Sequence, residues 1–198
     1  MIPEGRLSVR TRPGRLLNPI PAGPDSSIHW GPVALNNPLE GLFYQLWSVR
    51  ADGGEIFLSA PNRPEQLHLS RPTPVLEVSL AFDQNGQPYV AFVEEDGIAR
   101  MHWYDAEIPG FAVMELEPGV LTPRITLDDA RPLVIPSSDI ILGYIREGLL
   151  RYRHQRNRFS EEYTLTQGEG GPVVEADGLQ HISMNSNLRL EFIVEVTE

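Results

Sequence analysis

Eighteen prolines and seventeen glycines are spread along the 198 residues, and they restrict this chain to short elements. Proline removes a backbone donor and glycine destabilises a helix, so breakers at this frequency leave no room for long helices. Between the breakers, apolar and polar residues often alternate with a period of two, which is typical of strands. The sequence therefore predicts an all-β fold.

Residues 75–118 show this pattern most clearly. The turn sequences DQNG (83–86) and EDG (95–97) separate apolar runs that are each long enough for one strand. Short strands joined by such turns predict an antiparallel meander of four strands. The four runs are Val75–Phe82, Tyr89–Val93, Ile98–Tyr104 and Phe111–Leu116.

The four-strand unit recurs along the chain at spacings between 43 and 51 residues. Periods of 40 to 50 residues with four strands each are typical of propeller blades. The sequence therefore predicts a small β-propeller-like domain of about four four-stranded blades, and a β-sandwich is the alternative. The residue pairs that define the repeat are Asp83 with Asp128, Gly97 with Gly148, Phe111 with Phe159, Leu116 with Leu165, and Gly54 with Gly97.

We predict two parts, an N-terminal arm (1–27) and a propeller-like domain (28–198). The domain has three blades, at 28–70, 75–118 and 123–167, and a half-blade at 179–196. An unfinished blade leaves an exposed strand edge, which another strand must cover. Residues 6–10 alternate apolar with polar or charged side chains, so they could supply the closing strand; the rival hypothesis is that partner subunits supply it.

Composition excludes several classes of protein. The chain has no cysteine, which rules out disulfides, thiolate zinc sites, iron–sulfur clusters and a cysteine nucleophile. The sequence contains no run of eighteen apolar residues, so no membrane span is predicted, and the N-terminus lacks the apolar region of a signal peptide. The net charge of −11 argues against nucleic acid as the main partner.

Motifs for nucleotide, metal or serine-hydrolase chemistry are absent, so no cofactor, metal or catalytic residue is predicted. The five histidines have no metal-clamp spacing and are interpreted as strand residues. A glycosidase would need a pair of carboxylates, but the aspartates near predicted strand ends are more simply turn formers. Those histidines and aspartates are His29, His68, His102, His154, His181, Asp83, Asp105, Asp128, Asp129 and Asp139.

Trp103 and Tyr104 are adjacent on a predicted strand and must point to opposite faces. They are the candidate exposed aromatics for a carbohydrate-binding propeller that contacts a bacterial surface glycan. Core packing is the alternative interpretation, since strand aromatics are more commonly buried.

Positive charge is concentrated in two segments, and all sixteen basic residues are arginines. Residues 146–158 carry a net charge of +4 and residues 1–15 carry +3, so the remainder carries −18. The first segment, the arginine strip, is interpreted as paired with the acidic neighbours Glu161 and Glu162. The alternatives are an interface with an acidic partner surface and a contact with nucleic acid or an anionic glycan. The candidate interface residues are Arg146, Arg151, Arg153, Arg156 and Arg158, and those of the docking arm are Arg6, Arg10, Arg12 and Arg15.

The strings VSLAFDQNGQPYVAFVEEDGIARMHWYD (78–105) and DIILGYIREGLLRYRHQRNRFSEEYTL (139–165) resemble blade sequences in tail-fibre and baseplate proteins of tailed bacteriophages. The resemblance covers about residues 75–165 and concerns the blade framework, so it transfers no functional residue. The residues that carry it are Phe82, Asp83, Trp103, Tyr104, Asp105, Tyr144, Arg153, Gln155, Arg156, Arg158 and Phe159.

The resemblance implies a virion structural protein of the tail or baseplate adsorption apparatus, made in the bacterial cytoplasm and involved in host attachment. On this hypothesis the chain is not an enzyme. It would act as a scaffold or adaptor, oligomeric in its assembly, whose arm and arginine strip bind neighbouring tail or fibre proteins. The alternative is the glycan-binding propeller, and glycosidase activity is a third interpretation.

Overall fold

The computed structural model describes all of the chain apart from several segments and single residues. The described residues are 7–12, 27–29, 33–36, 45–61, 63–83, 85–105, 107–108, 110–128, 139–166, 173–182 and 188–196. Side chains are described within 47–125 and 140–164, apart from residues 62, 84, 106 and 109.

Sixteen strands and one short 3-10 helix make up the described chain, so the all-β prediction is confirmed. The strands are β1 (Leu7–Arg12), β2 (Ser27–His29), β3 (Val33–Asn36), β4 (Gln45–Asp52), β5 (Glu55–Ala60), β6 (Arg63–Ser70), β7 (Val75–Phe82), β8 (Pro88–Glu94), β9 (Ala99–Asp105), β10 (Gly110–Glu115), β11 (Leu121–Asp128), β12 (Asp139–Arg146), β13 (Leu149–His154), β14 (Tyr163–Thr166), β15 (Val173–Ile182) and β16 (Leu188–Val196), and the 3-10 helix η1 is Gln155–Asn157.

These strands form four sheets of four strands each. Sheet I is β3-β4-β5-β6, sheet II is β7-β8-β9-β10 and sheet III is β11-β12-β13-β14, and all three are antiparallel meanders. Sheet IV has the order β1-β16-β15-β2. The predicted four-strand units therefore coincide with real sheets. The first of them begins later than expected, because Ile28 and His29 pair with β15 in sheet IV.

The N-terminal strand pairs with the C-terminal one. β1 runs parallel to β16, with Leu7 opposite Leu190 and Arg12 opposite Glu195, while β15 and β16 are antiparallel. This is the pairing that the closing-strand hypothesis requires. Together with β2, which pairs with β15, it completes a sheet of four strands around the half-blade predicted at 179–196.

Sheet II is buried on both faces. Tyr89 and Ala91 of β8 belong to a core shared with sheet III, whereas Val90 and Phe92 belong to a second core shared with sheet I. Four consecutive buried residues result, instead of the alternation of buried and exposed residues that a half-buried strand shows. Successive sheets along the chain therefore pack face to face through sheet II.

The first strands of sheets I, II and III lie beside one another, since β7 packs against both β3 and β11. At the second of these contacts the buried hydroxyl of Ser79 accepts a hydrogen bond from the backbone N–H of Ile125 at 3.0 Å. β15 and β16 also pack against β11. None of the described segments forms a helix of the length and apolar character needed to cross a bilayer.

Two of the repeat pairs differ from the alignment. Phe111 is half exposed on β10, whereas Phe159 is buried in the turn after η1, so their side chains do not occupy equivalent positions. The second pair is Gly54 with Gly97. In the β4–β5 turn the left-handed residue is Gly53, with φ of +57°, and not Gly54. A glycine is needed at position 54 for a different reason, because a Cβ there would collide with the carbonyl oxygen of Arg71.

Candidate functional site

A cleft of about 250 Å³, lined by polar and aromatic side chains, opens between sheets II and III. Its walls come from the β7–β8 turn, the end of β9 with the residues that follow it, and the η1 segment of sheet III. Loops at the ends of rigid sheets are where binding residues are commonly placed. The cleft is therefore the candidate site in the described part of the chain.

Asp83 orders the first wall of the cleft. One of its carboxylate oxygens accepts backbone N–H groups from Asn85 at 2.8 Å and Gln87 at 2.9 Å, which fixes the turn. Burial raises the pKa of the Asp83 carboxyl, against the opposing effect of these two donors. The turn-former interpretation of Asp83 is confirmed, and the same side chain also lines the cleft.

Tyr89 and Gln155 connect the two sheets at the cleft. The Tyr89 hydroxyl donates to the carbonyl oxygen of Tyr104 at 3.1 Å and accepts from Gln155 Nε2 at 2.7 Å. The other end of the Gln155 amide accepts the backbone N–H of Ile140 at 3.3 Å. Burial raises the pKa of Tyr89, so its hydroxyl stays protonated.

Arg158 is the centre of a charged cluster at the opposite wall. Its guanidinium binds Asp105 and donates to Glu107 at 2.7 Å. Burial alone would raise the pKa of Asp105, but the backbone N–H of Glu107 and the Arg158 guanidinium outweigh it, so that pKa is lowered. Asp105 is therefore held as a carboxylate.

Arg158 and Phe159 both have left-handed backbone conformations, with φ of 57° and 59°. Residues with a Cβ seldom adopt this region, and it costs about 1 kcal/mol or more for each. The bend carries Arg158 to Asp105 and buries Phe159 edge-on against Trp103, with ring centroids 5.4 Å apart. The packing of Phe159 and the ion pair of Arg158 thus maintain this strained backbone conformation.

Two substitutions at Arg158 separate these contributions. We expect both Arg158→Ala and Arg158→Gly to destabilise the fold, because Asp105 loses its cationic partner. We expect the glycine variant to be more stable than the alanine variant by about 1 kcal/mol, since glycine adopts the left-handed conformation without strain. Urea unfolding of the two variants measures the difference, and equal stabilities would contradict the strain.

The predicted exposure of Trp103 is wrong. Its ring is buried against Phe159 and Tyr89, and Tyr104 is only half buried, with its edge against Phe111. The sequence correctly places these neighbours on opposite sides of β9, but it could not show that sheet III covers one of those sides. Both residues nevertheless line the cleft.

Three arginines of the strip are only partly exposed, and acids of the same chain pair with them. Glu162 accepts from Arg146 at 2.8 Å and from Arg151 at 2.6 Å, and Glu117 binds Arg153. The expected pairing with Glu162 is therefore observed, whereas Glu161 contacts Tyr163. Arg156 and Arg158 are exposed beside the cleft. The interface with another protein stays a prediction.

Other predicted site residues lie partly outside the described chain. Arg10 and Arg12 belong to β1, while Arg6 and Arg15 fall outside the described residues. Asp128 and Asp139 are paired in the backbone register at the ends of β11 and β12, and Asp129 lies outside the described residues. The docking role of the arm therefore stays a prediction.

Sequence spacing also missed a histidine pair between sheets I and II. His68 of β6 and His102 of β9 are 34 residues apart, yet their ring nitrogens Nε2 and Nδ1 are 2.8 Å apart. Phe111 stacks on the His102 ring with centroids 4.8 Å apart. Only the packing of sheet I against sheet II brings the two histidines together. Among the residues with described side chains, no three metal-ligating groups converge.

The two buried carboxylates of the cleft are already engaged within the protein. Asp105 is neutralised by Arg158, and one oxygen of Asp83 is occupied by the turn. What the cleft offers is a set of fixed donors and acceptors next to aromatic rings.

Comparison with known proteins yields no match to a family model, to a curated protein or to a solved structure. The function must therefore be inferred from the fold, the cleft and the surfaces.

Proposed function

We propose that the four sheets are the blades of a small β-propeller that acts as a rigid scaffold or adaptor. The observation that carries this proposal is the burial of both faces of sheet II, one against sheet I and the other against sheet III. In a sandwich of two sheets, each sheet buries only one face. In a propeller, each blade is covered by the blade before it and the blade after it.

The pairing of β1 with β16 supports closure within a single chain. It joins the two ends of the sequence in one sheet and covers a strand edge that would otherwise be open to other chains. A scaffold closed in this way is stable without a partner. Its partners would then dock on its outer surface.

The role we propose is structural, in the tail or baseplate adsorption apparatus of a tailed bacteriophage. The resemblance of residues 75–165 to blade sequences of such proteins supports it. The N-terminal arm and the arginine strip are the proposed contacts with neighbouring tail or fibre proteins, with Arg156 and Arg158 the most exposed members of the strip. On this proposal the protein is not an enzyme and is found in the virion.

Immunogold electron microscopy tests the location. Antibodies raised against the recombinant chain are applied to purified phage particles from the strain that encodes it. We expect gold particles at the tail or baseplate. Particles that carry no label, while a capsid antibody labels them, would overturn the proposed role.

Deletion of residues 1–12 tests closure by β1. Light scattering over a tenfold concentration range should give the mass of one chain for the full-length protein. We expect the deleted protein to melt at lower temperature and to associate as concentration rises, because an edge of β16 loses its partner. Deletion of residues 1–6, which retains β1, is the matched control. A shortened protein that stays monomeric with an unchanged melt would contradict closure by this strand.

A further inference from the structure

We propose that the cleft between sheets II and III is a saccharide-binding site that takes a single neutral sugar unit through its hydroxyl groups. This goes beyond the scaffold role and does not depend on it. The site also differs from the one expected from exposed aromatics, because Trp103 forms a wall of the cleft instead of an open platform.

The chemistry of the walls favours hydroxyl groups. Asp83, Asn85, Gln155 and Arg156 all line the cleft, and each ends in a planar group with two or more hydrogen-bonding atoms. Asp83 and Gln155 already use part of this capacity within the protein, so we assign the paired binding of two neighbouring sugar hydroxyls to the Asn85 amide at the exposed rim. The set contains both donors and acceptors, which suits a hydroxyl because it can act as either.

The aromatic wall provides the apolar part of the site. Trp103 and Tyr104 both line the cleft, and Tyr104 is half buried. Sugar rings have apolar C–H faces beside their hydroxyl edges, so an aromatic side chain next to planar polar groups matches both surfaces. The volume of about 250 Å³ lies below the roughly 300–1,000 Å³ typical of drug-sized ligands, which favours one sugar unit.

The charge of the cleft argues against an ionic ligand. Arg158 is bound to both Asp105 and Glu107, so one guanidinium faces two carboxylates. With Asp83 and Arg156 added, the lining holds two guanidinium groups and three carboxyl groups, a formal net charge of −1. The excess of acids disfavours an anion, and the engagement of Asp105 and Glu107 by Arg158 disfavours a cation.

The cleft is already organised without a ligand. Asp83 is fixed by two backbone donors, and Gln155 is held between Tyr89 and Ile140. Side chains that are held in advance lose little conformational freedom on binding, so even a small contact area can give measurable affinity.

Saturation-transfer NMR on the full chain tests the proposal, with glucose, galactose, N-acetylglucosamine and rhamnose as probes. We expect transfer to at least one sugar, with a dissociation constant on the order of 1 mM. The double variant Asn85→Ala/Arg156→Ala changes exposed side chains at the rim and should weaken binding about tenfold or more. Glu95→Ala, at an exposed turn at the other end of sheet II, is the matched control and should bind as the wild type does.

Three results would overturn the saccharide site. The first is the absence of transfer to all four sugars, and the second is sugar binding that the rim double variant leaves unchanged. The third is displacement of the sugar by inorganic phosphate at lower concentration, which would make the cleft an anion site. Circular dichroism of each variant verifies that the fold is retained.

Discussion

Replacement of Glu94 by alanine is expected to destabilise the fold by about 4 kcal/mol, within the range for the loss of one partner from a buried ion pair. The Glu94 side chain is 1% exposed at the end of β8. It accepts from Arg71 Nε at 2.8 Å and also binds Arg100, whose side chain is 7% exposed. Without the carboxylate, two guanidinium groups lose a shared partner, and Arg71 no longer ties the segment before β7 to sheet II.

Glu115→Ala is the matched control, because it removes another carboxylate from the same arginine. Glu115 lies 2.9 Å from Arg100, but its own side chain is 64% exposed. Exposed ion pairs contribute about 1 kcal/mol or less, so this variant should stay close to the wild type. Urea unfolding at pH 7 measures the free energy of unfolding of both variants. Equal losses of this free energy would show that the burial of Glu94 does not determine how much the ion pairs of this cluster contribute to stability.

Acidification is expected to weaken the contact between sheets I and II through His68 and His102. The pKa of each ring is lowered to about 4, chiefly by burial, and for His102 the neighbouring His68 and Arg71 also contribute to this shift. In the unfolded chain both rings titrate near 6.5. As the pH falls, the unfolded state therefore binds protons before the folded state does. Because proton binding then favours the unfolded state, the stability that is fully present above about pH 6.5 is lost as the pH falls toward 4.

The loss expected from the pair over this range is about 5 kcal/mol, half of it from each ring, because the unfolded chain binds two protons that the folded pair resists. In the folded state protonation of both rings would remove the acceptor of their hydrogen bond and place two like charges together. The double variant His68→Gln/His102→Gln retains hydrogen-bonding groups but does not titrate. Its stability relative to the wild type should rise between pH 6.5 and 4.5, as measured by urea unfolding at each pH.

Leu67→Gln is the control for this comparison, since it changes an exposed neighbour on β6 and leaves both histidines in place. It should follow the pH dependence of the wild type. A double glutamine variant whose stability changes with pH as the wild type does would show that the pair does not couple acid to the packing of the two sheets.

Local sequence determined the strands and most of the turns. The alternating runs of residues 75–118 predict the four strands of sheet II because hydrogen bonding and side-chain direction along a strand depend on neighbouring residues. Asp83 organises its turn through backbone groups two and four residues away, so its role could be inferred from the local string alone. The recurrence of the unit predicted sheet III in the same way.

Tertiary structure decided which faces are buried and which distant residues meet. Nothing in the sequence near Trp103 shows that Phe159, 56 residues later, covers it. The same holds for His68 with His102 and for Gln155 with Tyr89, which are 34 and 66 residues apart. Such contacts depend on how whole sheets pack, and a strand carries the same local pattern whether or not a second sheet covers its other face. The strands of this protein were therefore determined locally, whereas the cleft was decided by the packing of sheet II against sheet III.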